Sequence, residues 1–537
     1  MSTATSPAYD AAVYAPVRTT AATIGFDLAA PEAKHLAVLN APPGTPFARP
    51  AQLLNGVEEP TDAIATFEPG LWRLDGSFVL PNPPEASDFE VGWWGEAQSD
   101  ALGGLDNPCC IEITFPTVQK IPCIGLSFDA RSNTALADFT VTLYGTAGHV
   151  LYREEISGNT AMTAQTRAGA EQVQRIIIDI YKTAAPYRHP RITEINFGFR
   201  LRFDDNDILE ASLITEADPT AQSLPYPRLS ASVRNDGRFN FLDPDDFSRY
   251  LQTRQTFEYR HGVVLPTGET EYIHRGVFYL EGWRVSDERI EFNAAGAAAA
   301  LDLIPYAGLT YETLTLGALF ARVCAVAGLG CRIDAAYYST PLVCAYLGEI
   351  TCREALVYLA NLGCALVYED SHNTLHMRDL LSADAPGDTL DYDNLLAPPA
   401  LNQSPYYNGI LLTEYTANPT GGGFTSTETF FPAPWHDSTE PPYGLSVVIP
   451  CLVANKNAQH AALRDWFLAR KFALLSQRIT AECSWRQNPA LALNDTVTVQ
   501  ANKVNARVQA KVVQTSTDYR EGVLSGETKA LIMQTFM

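Results

Sequence analysis

The side chains that most often do chemistry in proteins are scattered through this chain. Nine histidines and ten cysteines occur among its 537 residues, and the cysteines form no CxxC pair. The sequence contains no GxSxG nucleophile elbow, no GxxxxGK phosphate loop, no HExxH zinc motif and no GxGxxG turn after a strand. His372 and His376 flank one predicted turn, where we expect both side chains to be solvated. The sequence therefore predicts no catalytic residue, no cofactor and no enzyme.

One acidic run has the side chains of a cation site. Residues 204–207 (Asp-Asp-Asn-Asp) offer four oxygen-bearing side chains, which calcium prefers as ligands. The glycine and the distal glutamate of a calcium-binding loop are missing, so we interpret 204–207 as a turn between domains and predict no metal site. A glycosidase would need two carboxylates facing each other across a cleft, and nothing selects such a pair among the 61 acidic residues.

Two adjacent tryptophans, Trp93 and Trp94, are the candidates for stacking on a sugar ring. They stand beside a glycine in a candidate strand. Because adjacent strand residues point to opposite faces, we expect at most one of the two to be exposed.

The acidic composition of the chain argues against certain classes of binding partner. The formal net charge is −23, and no run of lysine or arginine offsets it. Such a surface repels phosphates, which argues against binding to nucleic acid or to an anionic membrane face. The chain opens without a basic segment followed by an apolar core, so we expect no secretory signal peptide and synthesis in a cytoplasm.

The pattern of apolar runs divides the chain into five segments. Residues 1–65 are rich in Ala, Pro and Thr and predict an N-terminal arm. Short runs with period-two alternation over 66–203 predict a jelly-roll type β-sandwich. Residues 204–308 and 390–537 contain hairpin signals typical of small β-barrels, and they flank an α+β insert at 309–389. The predicted fold class is mainly β and multidomain, with a hint of internal duplication.

Three helices are predicted from local signals. In the insert, Leu316, Leu319, Phe320 and Val323 recur at helical spacing before Gly328. A second helix begins with a capping box at 351–354 and ends at Gly363, followed by a hairpin. A long helix is predicted over roughly 457–477.

Several motifs in order resemble one protein family. WRLDGSFVLP (72–81) and GWWGEAQSD (92–100) resemble the N-terminal region of tail proteins from phages and prophages of Gram-positive bacteria, in which a discoidin-like sandwich follows. Residues 207–263 are similar to the first hub-barrel motif of that family. The resemblance covers 65–305 well and 306–537 loosely.

The resemblance implies a trimeric hub at the distal end of a tail tube, located in the virion and assembled in the host bacterial cytoplasm. It implies distal tail and tube proteins, a tape-measure protein, tail fibres or receptor-binding proteins, and host cell-surface glycans as partners, with DNA only in transit. We expect no cell-wall hydrolase after residue 537. The predicted ring contacts are apolar or aromatic side chains of one loop and one helix: Phe239, Phe241, Phe247, Tyr250, Leu251 and Trp466.

Two other functions stay open at this point. In a carbohydrate-binding adhesin or receptor-binding tail protein, the sandwich would be the working part and Trp93 or Trp94 would contact sugar. In a glycoside hydrolase, one carboxylate pair would carry the reaction. The hub interpretation differs from both because it requires two similar barrel segments in one chain.

Overall fold

The structure is a computed structural model of the chain. It describes residues 5–29, 31–42, 44–45, 48–57, 64–71, 78, 90–130, 132, 134–235, 251–310, 314–342, 345–382, 384–404, 407–417, 424–436, 444–449, 458–500 and 507–533. Among the helices in these ranges, we find none with the length and apolar character that crossing a membrane requires.

The described residues are mainly strands. The strands of the N-terminal part are β1 (Thr20–Ala29), β2 (Val38–Asn40), β3 (Trp93–Trp94), β4 (Gly104–Ile121), β5 (Ile124–Ser127), β6 (Leu136–Tyr144), β7 (Val150–Ile156), β8 (Thr163–Gln165), β9 (Ala170–Thr183), β10 (Arg191–Ile192) and β11 (Glu194–Phe203).

The strands that follow are β12 (Ile208–Glu216), β13 (Arg228–Arg234), β14 (Thr256–Val264), β15 (Thr270–Val285), β16 (Arg289–Ala295), β17 (Pro305–Thr310), β18 (Leu314–Thr315), β19 (Gly330–Ile333), β20 (Pro341–Leu342), β21 (Ala345–Thr351), β22 (Ala365–Glu369), β23 (Thr374–Asp379), β24 (Asp388–Leu390), β25 (Ala400–Gln403), β26 (Gly409–Ala417), β27 (Phe424–Pro432), β28 (Gly444–Ile449), β29 (Ile479–Trp485), β30 (Thr496–Gln500), β31 (Arg507–Arg520) and β32 (Val523–Ile532).

The α-helices in the described ranges are α1 (Pro7–Val13), α2 (Pro31–Leu36), α3 (Leu316–Ala327), α4 (Ala335–Tyr338), α5 (Cys352–Gly363) and α6 (Ala458–Leu475). Short 3-10 helices cover Pro50–Leu54, Thr146–Gly148 and Ala297–Asp302. The predicted mainly-β, multidomain fold class is confirmed.

The chain divides into two compact units. One consists of Met1–Gly25 with Arg202–Met537, and the other of Phe26–Leu201. Part of the predicted N-terminal arm therefore belongs to the same unit as the predicted sandwich, because β2 pairs with β4. The five predicted segment boundaries remain predictions.

The unit Phe26–Leu201 contains an antiparallel sheet in the order β2-β4-β9-β6-β7 and a second ladder in which β5 lies between β11 and β8. Alternate residues of β9 (Ile176, Ile178 and Ile180) are buried in the same core as Ile124 and Phe197 of the second ladder. The period-two alternation in the sequence is thus the inward face of these strands. The discoidin-like character of the sandwich remains a prediction.

The other unit repeats one strand order. We call β13–β16 the first module. In it β13 pairs with β16, β16 with β15, and β15 with β14. In β29–β32, the second module, β29 pairs with β32, β32 with β31, and β31 with β30. All six ladders are antiparallel. The duplication hinted at by the sequence is therefore visible in the topology.

A single strand joins the two modules. β12 pairs with β13 on one edge and with β31 on the other, where Glu210–Glu216 face Gln514–Arg520. The two predicted barrels consequently share one sheet, and the ladders of the described residues do not close into separate barrels. A closed barrel would need a pairing between the end strands of each module.

The α+β insert follows its local sequence signals. α3 ends where Gly328 takes a left-handed conformation with φ 71°, which glycine adopts at low cost. At the start of α5 the Thr351 hydroxyl accepts from the Glu354 amide, and the Glu354 carboxylate accepts from the Thr351 amide at 2.8 Å. Both helix predictions in the insert are confirmed. The hairpin is confirmed as well: β22 and β23 are antiparallel, and β19 joins β23 in parallel.

Removing the capping hydroxyl provides a test of this local structure. We expect Thr351→Ala to lower the free energy of unfolding by about 1 kcal/mol, because one amide of the first turn loses its acceptor. Thr351→Ser keeps the hydroxyl and serves as the matched control. Urea unfolding followed by circular dichroism measures both variants. Equal losses in the two variants would show that the hydroxyl is not the stabilising group.

Candidate functional site

A polar cavity lies between the first module, the insert and the second module, all within the unit that consists of Met1–Gly25 and Arg202–Met537. Its volume is about 310 Å³. Its walls come from the end of β12, from β15 of the first module, from β19 and the hairpin β22–β23 of the insert, and from residues 490–493 of the second module. We call it the junction cavity. Its lining contains three histidines and three arginines beside two carboxylates, so it is a charged concave surface.

Glu369 is a buried carboxylate in the wall of this cavity. Its two oxygens accept from the backbone amides of Ala297 at 2.7 Å and Ala298 at 3.0 Å. Burial raises the pKa of Glu369 to about 7, although the two amide bonds lower it. The close approach depends on Gly296, where a Cβ atom would lie 2.5 Å from a carboxylate oxygen.

A second carboxylate and a histidine pair inside the same wall. The Nε2 atom of His376 lies 2.8 Å from Asp370 Oδ2, and the imidazole stacks on Tyr368 with 4.9 Å between ring centroids. Burial raises the pKa of Asp370, but the hydrogen bonds from His376 and two backbone amides outweigh burial. The pKa of Asp370 therefore lies below its usual value. The sequence prediction that His376 is solvated is wrong: the residue is only 9% exposed, and Tyr368 covers one face of its ring. His372 is exposed as predicted.

His274 connects the first module to the insert. Its Nδ1 lies 2.7 Å from Glu258 Oε1 and its Nε2 lies 2.9 Å from the carbonyl oxygen of Ser371. Both partners of the ring are acceptors, a carboxylate oxygen and a backbone carbonyl oxygen. Burial raises the pKa of Glu258, but bonds from His274 and Arg260 bring it down to about 2. The His274 ring lies 5.3 Å from that of His372, a pairing that the sequence did not indicate.

Residues 5–20, which we call the arm, bind both modules. Helix α1 buries Tyr9 and Val13 against Val263 and Ile273 of the first module. The Arg18 guanidinium donates to the carbonyl oxygens of Gln487 at 2.8 Å and Leu524 at 2.9 Å, both in the second module. Residues 5–20, the first part of the predicted arm 1–65, therefore contact both modules.

A buried polar cluster fixes the middle of the arm. The Tyr14 hydroxyl donates to Asp388 Oδ2 at 2.5 Å, and the Asn488 amide donates to the same carboxylate oxygen at 3.2 Å. Burial raises the pKa of Asp388 in spite of these bonds. Tyr14, Asp388 and Asn488 come from three distant segments, and their hydrogen bonds supply the donors that the buried Asp388 carboxylate requires.

Helix α6, predicted over roughly 457–477, is confirmed at 458–475. Its Lys471 is fully buried and donates to Thr220 O and to Asn361 Oδ1, both at 2.6 Å. Burial lowers the pKa of this amine. Trp466 is half-buried, with the Arg470 guanidinium 5.3 Å from its ring centroid. The helix is therefore anchored inside its own unit.

The predicted ring contacts have different outcomes. Phe239, Phe241, Phe247 and Tyr250 lie outside the described residues. Leu251 is 5% exposed, so its side chain packs inside its own chain, and its role as a ring contact stays a prediction. Trp466 remains a predicted contact.

The sequence predicts that at most one of Trp93 and Trp94 is exposed, and the structure exposes neither, so the candidate sugar-stacking surface is buried. Trp93 is 0% exposed in the sandwich core, and Trp94 is 3% exposed because the Arg191 guanidinium lies 3.4 Å from its ring centroid. Arg191 in turn pairs with Asp129 at 2.8 Å and with Glu68. Both faces of the short strand are covered, so period-two alternation does not expose either ring.

The acidic run 204–207 forms the predicted turn. The backbone amide of Asp207 donates to Asp204 O at 3.0 Å, and the Asn206 amide donates to Asp204 Oδ1 at 2.8 Å. Within the ranges given above, no three His, Cys, Asp or Glu side chains converge as a metal site would require.

Comparison with known proteins gives structural likeness only. No family model matches the sequence, and no curated protein matches it. Among solved structures, the chain is similar to a tail protein from Neisseria meningitidis MC58, with 12% identity and a TM-score of 0.41 over 62% of this chain and 94% of that one. It is also similar to the 43 kDa tail protein of prophage MuSo2 from Shewanella oneidensis, with 14% identity and a TM-score of 0.38 over 62% of this chain and 96% of that one. A third similar structure is prophage tail protein gp18 from Listeria monocytogenes EGD-e, with 9% identity and a TM-score of 0.38 over 62% of this chain and 91% of that one. Sequence identities and TM-scores this low do not assign a function to the chain.

The raised pKa of Glu369 has a consequence for stability. Between about pH 4.5 and pH 7 the folded protein keeps a proton on this carboxyl that the unfolded chain releases. The free energy of unfolding therefore falls as pH rises through this interval, by about 3 kcal/mol for a shift of this size. We expect Glu369→Gln to remove this part of the pH dependence, as measured by urea unfolding at pH 5 and pH 8. The exposed Glu281→Gln is the control, and an unchanged pH dependence in Glu369→Gln would contradict the assignment.

Arg18 provides a test of the arm. We expect Arg18→Ala to release residues 5–20 because the arm loses its charged hydrogen bonds to the second module. Limited proteolysis should then cleave the arm at least ten times faster than in the wild type. The neighbouring Val17, which is 88% exposed, gives the matched control Val17→Ala. Equal cleavage rates in the two variants would show that Arg18 does not hold the arm.

Proposed function

We propose that this chain is a structural virion protein, the trimeric hub of a baseplate or tail tip that closes the distal end of a phage tail tube. The observation that carries the proposal is the repeated strand order of the first and second modules. A hub interpretation requires two similar modules in one chain, whereas an adhesin or a hydrolase does not.

The repeat supports a symmetry match. A tube with sixfold symmetry presents six equivalent ends, and three copies of a chain with two similar modules present six nearly equivalent surfaces. Neighbouring subunits of such a ring meet through heterologous contacts that close after three steps. The modules need not be identical, because each needs only one face that fits the tube.

The rigidity of the module pair also supports a docking role. β12 hydrogen-bonds to both modules, and the arm spans them with Arg18 and α1. Two docking surfaces are useful to an assembly only if their spacing is fixed. Backbone ladders fix it more tightly than a flexible linker would.

The sequence resemblance over 65–305 and the net charge support the same role. In a ring, an acidic lumen repels the phosphates of DNA and lets DNA pass without adhering. The proposed partners are the tube protein, the tape-measure protein, and the tail fibres or receptor-binding proteins that dock beside the hub. Sugar binding by Trp93 or Trp94 is not proposed, because both rings are buried. We propose no enzymatic activity.

The ring is tested by assembly with its partners. The full chain is co-expressed with the proteins of the flanking reading frames, and the purified complex is imaged by cryo-electron microscopy. We expect a ring with three copies of this chain against a sixfold tube protein. A complex that contains one copy of the chain, or a ring without threefold symmetry, would overturn the proposal.

The predicted contact at Trp466 is tested in the same assembly. We expect Trp466→Ala to reduce the yield of rings at least fivefold, with Val17→Ala as the control for an exposed apolar residue. Circular dichroism confirms that α6 is retained in the variant. Rings formed at the wild-type yield would remove Trp466 from the interface.

A further inference from the structure

Three cysteines of the insert lie close to one another where helix α3 ends. Cys324 is in the last turn of α3, Cys331 is on β19, and Cys352 is the first residue of α5. All three are free thiols. In the described part of the chain no three cysteine, histidine or acidic side chains converge as a metal ion would require, so these thiols can react with one another only in pairs.

The turn after α3 brings Cys324 and Cys331 to the same core. Gly328 takes the left-handed conformation, and the Leu329 amide donates to the carbonyl oxygen of Cys324 at 3.0 Å, so the chain reverses directly after the helix. Cys324 is buried on the apolar face of α3, and the Cys331 side chain packs against the same apolar cluster from β19. The two thiols are hydrogen-bond neighbours.

The accessibility of the three thiols differs. Cys324 and Cys352 are 0% exposed, whereas Cys331 is half-buried. A dissolved disulfide can therefore reach Cys331 first, because exchange begins with a direct contact between the attacking sulfur and a sulfur of the disulfide. Fully buried thiols elsewhere in a fold are inert for the same reason.

We propose that Cys324 and Cys331 form a disulfide by exchange with a low-molecular-weight disulfide such as oxidised glutathione. The Cys331 sulfur first attacks one sulfur of oxidised glutathione, which gives a mixed disulfide and releases one glutathione thiolate. The Cys324 sulfur then attacks Cys331 Sγ and releases the second glutathione thiolate. The two departing thiolates take up the two protons that the protein thiols lose. Two protein thiols are thus oxidised, and one glutathione disulfide is reduced to two thiols.

The second step is the slower one. Burial raises the pKa of the Cys324 thiol, and the neighbouring thiols of Cys331 and Cys352 raise it further. Because the thiolate is the attacking species, little of Cys324 is reactive at any moment. The reaction is therefore followed to its end point over hours, which is within the usual range for disulfide formation.

The link joins the end of α3 to β19, an end strand of the three-stranded sheet β19-β23-β22. Arg332, the residue after Cys331, lines the junction cavity, so the link also restrains one wall of that cavity. It forms in an oxidising medium and opens in a thiol-rich cytoplasm. The proposal is independent of the hub function, since it depends only on side chains of a single chain.

The test follows the thiols of the full chain with oxidised glutathione as the probe, at about pH 8, near the ordinary pKa of a thiol. Remaining thiols are alkylated in denaturant before digestion. Trypsin cleaves after Arg322 and Arg332, so both cysteines lie in one peptide, 323–332. Mass spectrometry separates its alkylated form, its glutathione adduct and its disulfide form, which has two hydrogen atoms fewer than the reduced peptide. The test variant is Cys331→Ser, and Cys110→Ser, an exposed cysteine of the other unit, is the matched control.

We expect the disulfide form of peptide 323–332 to exceed its glutathione adduct about tenfold in the wild type and in Cys110→Ser, because neighbouring thiols react at a high effective concentration. In Cys331→Ser the disulfide form is lost, and Cys324 stays reduced because it is buried. An adduct at least as abundant as the disulfide form, an unreacted pair, a link from Cys331 to Cys352, or glutathione on Cys324 of the serine variant would overturn the proposal.

Discussion

The structure depends on one strand that is hydrogen-bonded on both edges. β12 pairs with β13 and with β31, so residues about 300 positions apart become neighbours, as in the 2.7 Å contact between Thr215 Oγ1 and Thr515 Oγ1. A strand bonded on both edges has no free ladder to slip along. This constraint sets the register of the second module relative to the first.

Long-range polar contacts accompany this joining of the two modules by β12. Joining two modules side by side buries backbone and side-chain groups that each module alone would leave in water. Arg18, the Asp388 cluster and Lys471 each satisfy such groups from a distant segment. Because the partners are far apart in sequence, these bonds close long loops of the chain.

This mutual satisfaction is incomplete at several buried side-chain atoms, among them Arg275 Nε and His376 Nδ1 beside the junction cavity. Glu369 accepts from the amides of Ala297 and Ala298, Asp370 pairs with His376, and Arg275 donates to the carbonyl oxygen of Pro489.

The sequence by itself determined the local structure. Period-two alternation predicted the sandwich strands, and Gly328 and the capping box at Thr351 predicted the ends of two helices, because these signals act within a few residues. The tertiary structure alone decided three other matters: the shared sheet of the two modules, the burial of His376 and Trp94, and the pairing of His274 with the turn at Ser371. Each of these depends on which distant segment covers a residue. A single strand pattern specifies which faces are apolar, and it does not specify what packs against them.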